Sequence, residues 1–194
     1  LSIKDLFIKD NKIYFSFGNL LNKCFHLNIF RSDLNQKFLE FEKFFTHKEC
    51  KDSRSGISYQ HIGGRIVSYK DNQILLSVGD FGDEATPQDK NSIFGKIISI
   101  NLTNKDFEII SMGSRNAQGL YYDANDNVIL NTEHGPTGGD EININNSPNN
   151  NTIENYGWPI VSYGTDGEKS FPKSHKKFGF IDPIKHFTPS IGIS

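Results

Sequence analysis

From residue 5 the chain alternates apolar and polar positions, breaks at an Asp-Asn pair, and then alternates again: "DLFIKDNKIYFSFG" occupies 5–18. The same unit returns as "IVSYKDNQILLSVG" at 66–79 and as "GLYYDANDNVILNTE" at 119–133. Alternation with a period of two predicts strands. Asp and Asn tolerate left-handed backbone angles, so each unit predicts a β-hairpin with its turn at the Asp-Asn pair. The pairs begin at Asp10, Asp71 and Asp126, a recurrence of roughly 55 to 61 residues. Between the hairpins lie further strand candidates, "CFHLNIF" (24–30), "GKIISINL" (95–102) and "FEIISMG" (107–113). The stretch "KFLEFEKFF" (37–45) also fits a helical stripe through Phe38, Phe41 and Phe45, and reads here as loop plus strand. From Asn143 onward the chain is rich in Asn, Gly, Pro and Ser and predicts long loops.

Four strands per unit, repeated radially, describe a β-propeller. A closed ring takes about four to eight blades, so this repeat supplies an open all-β arc of about three blades within one domain, 1–194. A β-sandwich would leave the repeat unexplained. An open arc is expected to expose a strand edge and apolar faces.

Composition narrows the functions without choosing one. The chain is 36% hydrophobic with a formal net charge of −2. That balance, with no basic run, gives no electrostatic basis for binding nucleic acid or an anionic membrane. No apolar stretch approaches the roughly 18 residues of a membrane-spanning helix, and no secretory apolar region opens the chain. The single Met is Met112, so Leu1 is not a translation start, and a processed product or fragment is expected. Cys24 and Cys50 match no metal-binding spacing; two buried thiols and a disulfide are both open readings.

The candidate chemistry gathers at "EHGPTGGDEININ" (133–145), where glycines and a proline stand against acidic residues. A loop that only turns needs fewer of either, so its backbone is expected to meet a cation, a cofactor or another part of the chain. Its neighbours, in order, are "HIGGRIV" (61–67), "LLSVGDFG" (75–82), "QDKNSIFGKIISINL" (88–102), "GSRNAQGLYYD" (113–123) and "NYGWPIVSYG" (155–164). This series resembles the soluble glucose/sorbosone dehydrogenase family, six-bladed propellers that use pyrroloquinoline quinone and calcium.

The resemblance implies a role for each matched residue. His61 falls on the catalytic histidine, Arg115 and Asn116 on the pair that faces the quinone, and Gln118 continues that motif. Gly135 and Pro136 fall on the two residues whose carbonyls hold calcium. It also implies a small sugar substrate, an external electron acceptor and a periplasmic or secreted location. Oxidation of a sugar hydroxyl needs a base, a hydride acceptor and charge stabilisation. Histidine suits the first role because imidazole titrates near neutral pH, Arg115 suits the last, and no side chain accepts a hydride. The glycines after His61 and around Pro136 are expected to let cofactor, ion and substrate approach the backbone.

Plainer readings stand beside these. His61 on its own would be a turn or core histidine, Arg115 and Asn116 a strand-end pair, and Gly135 and Pro136 loop-shaping residues. Asp140 and Glu141 are expected to fix the loop by accepting backbone N–H bonds, and His134 to bond locally. Tyr156 and Trp158 could wall a cleft or pack between blades. The alternative function is a non-catalytic, calcium-stabilised propeller that binds a protein or glycan. Retention of His61, Arg115 and Asn116 together favours the enzyme.

Overall fold

The structure, a computed structural model, describes residues 2–35, 37–53, 60–148 and 152–194. The chain first builds β1 (Ser2–Lys9), β2 (Lys12–Leu21), β3 (Cys24–Asp33) and β4 (Glu42–Thr46), an antiparallel sheet in that order. The short β5 (Lys51–Asp52) pairs with the start of β3. A second sheet follows with β6 (Gly63–Tyr69), β7 (Gln73–Val78), β8 (Lys96–Asn101) and β9 (Phe107–Met112). The third contains β10 (Ala117–Asp123), β11 (Val128–Glu133) and β12 (Asp140–Asn145). The remaining chain then stitches the blades together. β13 (Glu154–Asn155) runs parallel to β9 on the edge of the second sheet. A small hairpin, β14 (Thr165–Asp166) and β15 (Lys169–Ser170), is followed by β16 (Lys185–Phe187), which joins β12 as the fourth strand of the third blade.

Three four-stranded blades are therefore present, as the repeat predicts. Their first strands, β1, β6 and β10, lie side by side where the blades converge. The turn chemistry is only partly as expected. Asp10 and Asn11 both adopt positive φ, 50° and 59°, the geometry of a tight hairpin. In the next two hairpins the left-handed residue is Lys70 or Asn127 instead, because those loops hold three and four residues and turn elsewhere. The 37–45 stretch is loop followed by β4, with Phe38 and Phe41 exposed. The tail departs most from its sequence reading. Asp140–Asn145 and Lys185–Phe187 are strands, a pairing that three-residue segments do not announce in their own pattern. Residues 149–151 of that tail lie outside the described residues.

Burial explains why β7 reads as an uninterrupted apolar run. Ile74, Leu76 and Val78 join a core with Tyr14, Ile29 and Phe44 of the first blade. Leu75, between them, points the other way into a second core with Ala117 and Ile129 of the third blade. A middle blade is covered on both faces, so its strands lose the polar half of the alternation. The first blade keeps one face open: on β1, Phe7 packs on the core while Leu6 and Ile8 are 64% and 62% exposed.

At the head of β8 the fully buried Lys96 donates from Nζ to the carbonyls of Thr86, Pro87 and Phe94, at 3.0, 3.0 and 2.7 Å. It thereby fixes the loop before β8 to the blade. Each buried carbonyl left without a donor costs about 1–3 kcal/mol. Lys96→Met is expected to lose at least about 3 kcal/mol of stability, read from urea unfolding; a loss under 1 kcal/mol would show that the loop holds itself.

Candidate active site

Strand direction alternates within each blade, so the start of β6, the end of β7, the start of β10 and the loop after β11 share one rim. Every motif singled out above lies there. His61 sits just before β6 with φ 52°, and its carbonyl accepts the Phe81 N–H at 3.1 Å. Its Nδ1 lies 3.0 Å from Oδ1 of Asp80. Asp80 is 1% exposed and its carboxylate also accepts the Gly82 N–H at 2.7 Å and the Trp158 indole N–H at 2.8 Å. Its own N–H donates to the Arg115 carbonyl at 2.9 Å. Sequence reasoning missed Asp80; "GDFGDE" offers no spacing that separates it from a turn aspartate.

The third blade supplies the other half. Asn116 Oδ1 accepts the Gly63 N–H at 3.1 Å and the Gln118 side-chain amide at 2.7 Å, so Asn116 bridges the His61 loop to β10. Arg115 Nη1 donates to the carbonyls of His134 and Gly135 at 3.0 and 2.9 Å, and its guanidinium lies 5.5 Å from the Trp158 ring centroid. His134 is held through its backbone, its N–H donating to the Asn116 carbonyl at the head of β10 and not to a local partner. The structure thus brings His61, Arg115, Asn116, Gln118, Gly135 and Pro136 together. Trp158 answers both readings: its N–H holds Asp80 and its ring packs on Phe171, and with Tyr156 it also lines a small cavity.

The glycines allow close approach of the chain to itself. A Cβ at Gly135 would stand 1.8 Å from the Gly139 carbonyl oxygen, and one at Gly79 would stand 1.8 Å from that of His61. At Gly63 it would meet Gly79 and Ser77 backbone, and at Gly64 the Lys4 side chain at 2.5 Å. At these positions the chain meets itself closely enough to require glycine whether or not a ligand also approaches.

Behind the 135–136 loop lies a cavity of about 10 Å³, the scale of one water or one ion. Glu133 and Glu141, directly opposite each other on β11 and β12, both line it. Both are at least nine-tenths buried, and Glu133 Oε2 has no hydrogen-bond partner. Burial pushes Glu133 up from 4.5 to about 7. It pushes Glu141 up to about 8, helped by the charge of Glu133. Asp140 goes the other way: burial opposes its charge, but the N–H groups of Ile191, Gly192 and Ile193 outweigh it and hold the carboxyl low. Asp140 does accept backbone N–H bonds as expected, but from the 191–193 segment and not from the 133–145 loop. Glu141 instead meets the Asn143 side chain and stands 3.8 Å from Nε2 of the buried His175.

An all-β arc of propeller blades with a histidine–carboxylate pair and an arginine-tied loop on one rim defines the class of protein. The chain belongs to the glucose/sorbosone dehydrogenase family, whose model matches residues 1–194. It is 27% identical over 220 aligned residues to the uncharacterized protein slr1608 of Synechocystis, covering 100% of this chain and 51% of that one. With the aldose sugar dehydrogenase YliI of Escherichia coli it shares 33% identity over 117 residues, covering 54% of this chain and 30% of the relative. Among solved structures, a glucose dehydrogenase superposes with TM-score 0.82 at 22% identity, over 99% of this chain and 60% of its own. The PQQ-bound aldose sugar dehydrogenase of Streptomyces coelicolor gives TM-score 0.64 at 23% identity, over 93% and 50%. The chain spans about half the length, or less, of the curated relatives it matches.

Two outcomes are expected. Gly135→Ala should displace the 135–139 loop and lower the melting temperature, whereas Pro136→Ala should do so far less; equal melting curves would refute the contact with Gly139. The raised carboxyls also set a pH dependence. The folded state holds protons that the unfolded chain releases above about 4.5, so this stability is complete below that pH and is lost as pH rises through about 8. In EDTA the melting temperature should fall from pH 5 to 8, and Glu141→Gln should flatten the fall; an unchanged slope would exclude these groups.

Proposed function

We propose that the chain carries the base-bearing part of a quinone-dependent sugar dehydrogenase, oxidising a hydroxyl such as C1–OH of an aldose. The observation that carries this reading is the His61–Asp80 pair, joined through Gly63 and Asn116 to the Arg115 loop. Asp80 accepts the Nδ1 proton, which leaves Nε2 with the lone pair that takes the hydroxyl proton. The carboxylate, tied also by Trp158 and Gly82, keeps the imidazole from turning away. Asp80 is in this sense a positioning residue for the base.

The residues present fit the cofactor and ion that the family uses. Around Gly135 and Pro136 the donors are all oxygen, as calcium prefers. Each carbonyl accepts one hydrogen bond, from Arg115 Nη1 and from Gly139 N, and keeps a second lone pair. The Glu133 oxygen, without a hydrogen-bond partner among the described residues, would add negative charge there once its proton is lost. When bound, pyrroloquinoline quinone supplies the hydride acceptor and Ca²⁺ the Lewis acid. Arg115 would place positive charge against the reduced oxygen, and Asn116 with Gln118 would orient the ring. The two electrons must then leave to an external acceptor. The Cys24–Cys50 bridge supports an oxidising compartment, the periplasm or cell exterior. We read residues 1–194 as belonging to one propeller domain.

A base acting in the chemical step alone lowers turnover when removed without weakening cofactor binding. In the full-length protein His61→Ala is expected to keep its quinone and lose at least about 100-fold in kcat, the lower end for general-base catalysis. Arg115→Ala should impair both quinone loading and rate. Near-normal turnover of His61→Ala, with quinone loaded and sugar saturating, would overturn the assignment and favour a binding propeller.

A further inference from the structure

The outer corner of the first blade holds a second group of chemically able side chains, away from the rim just described. Cys24 and His26 stand two apart on β3, on the same face of that strand. Cys50 reaches them from the segment just before β5, and the two cysteines form a disulfide with Cα atoms 5.5 Å apart. The ligand atoms of all three residues lie within 4.8 Å of one another. His26 is unusual among them. Among the described residues its Nδ1 is buried with no hydrogen-bond partner, and the His47 backbone stands beside the ring.

A staple needs only the two sulfurs. It does not need an imidazole held beside them with a bare nitrogen. Metal-ligating histidines characteristically bond through one nitrogen to a backbone carbonyl or carboxylate and offer the other to the ion. Burial also pushes the His26 ring below its ordinary value, which favours the neutral form that can ligate. We propose that Cys24, Cys50 and His26 form a redox-gated site for a thiolate-preferring cation such as Zn²⁺, closed as a disulfide and opened by reduction.

Opening takes two electrons and two protons from a dithiol reductant, which itself leaves as a disulfide. The S–S bond breaks and two thiols form. Zn²⁺ then replaces both thiol protons, so the two thiolates and the neutral imidazole make three bonds and water takes the fourth position. Zinc–sulfur bonds of about 2.3 Å in a tetrahedral site put the sulfurs about 3.7 Å apart, so Cys50 must draw back by less than about 2 Å. The structure suits this. Cys24 and His26 are fixed on a ten-residue strand, whereas Cys50 precedes a strand of only two residues.

Full-length protein, reduced with a phosphine and kept in excess Ca²⁺ to fill oxygen sites, should bind Co²⁺ one to one with a thiolate-to-cobalt charge-transfer band. Zn²⁺ should abolish the band and raise the melting temperature of the reduced form. Oxidised protein should show neither effect. His26→Ala, which keeps both thiols, should bind at least about tenfold more weakly. Absence of the band in reduced protein, or equal binding by His26→Ala, would overturn the proposal. So would a reduced first blade that unfolds and is not restored by Zn²⁺. None of these readouts depends on sugar oxidation, so they stand or fall apart from the proposed activity.

Discussion

The carboxylate of Asp80 is the tie on which the rim depends. One buried group holds the His61 ring, the turn at Gly82 and the Trp158 indole, while its backbone N–H reaches the Arg115 carbonyl. Those four belong to the entry of the second blade, the exit from its second strand, the segment returning from the third blade, and the entry to the third blade. A buried carboxylate is costly unless several donors satisfy it. Here the donors arrive only when the blades are correctly juxtaposed. The same bonds that make Asp80 tolerable in the interior therefore fix the histidine relative to the arginine.

Strand direction does the rest. Blades that begin at a common inner strand place the start of every first strand and the end of every second strand on the same side. Residues 54 positions apart, His61 and Arg115, become neighbours through nothing more specific than the repeat. Loops at that rim then need to be held against one another. The backbone-to-backbone approaches at Gly63, Gly79, Gly135 and Gly139 show how tightly this is done. Loops carry the chemistry, but a scaffold on which side chains cannot slip gives them their precision.

Much of this was legible in the sequence because it was periodic. The three hairpins, β3, β8 and β9 followed from alternation, and the blade count followed from the recurrence of Asp-Asn turns. The rim residues were legible as a series of motifs in a recognisable order. What escaped had physical reasons. β16 has three residues and β13 two, too short for a period, and their identity as strands comes from the edges they complete. Asp80 was invisible because its three partners lie 19, 2 and 78 residues away. Glycine composition signalled close approach, but composition cannot say what approaches, and the chain itself is one such partner.

The electrostatics of the Gly135 loop follow from that closeness. Arg115 already places a guanidinium on the Gly135 carbonyl, so a divalent ion at the same oxygen would bring two cations within a few ångströms. In isolation that arrangement is repulsive by several kcal/mol at a protein-like dielectric. The buried pair Glu133 and Glu141 changes the balance. Without an added cation their mutual repulsion and burial keep them partly protonated, and with one they would release that proton and neutralise it. Metal uptake at the loop would thus be linked to proton loss beside it. The two acids would then act as a reservoir of negative charge, made available when a cation draws on it. On the proposed reading, an arginine that stabilises developing negative charge would thus stand beside two acids able to compensate it. Arg115 lines the same cavity as the two carboxylates, so their charge, once released, would offset the guanidinium as well as the ion.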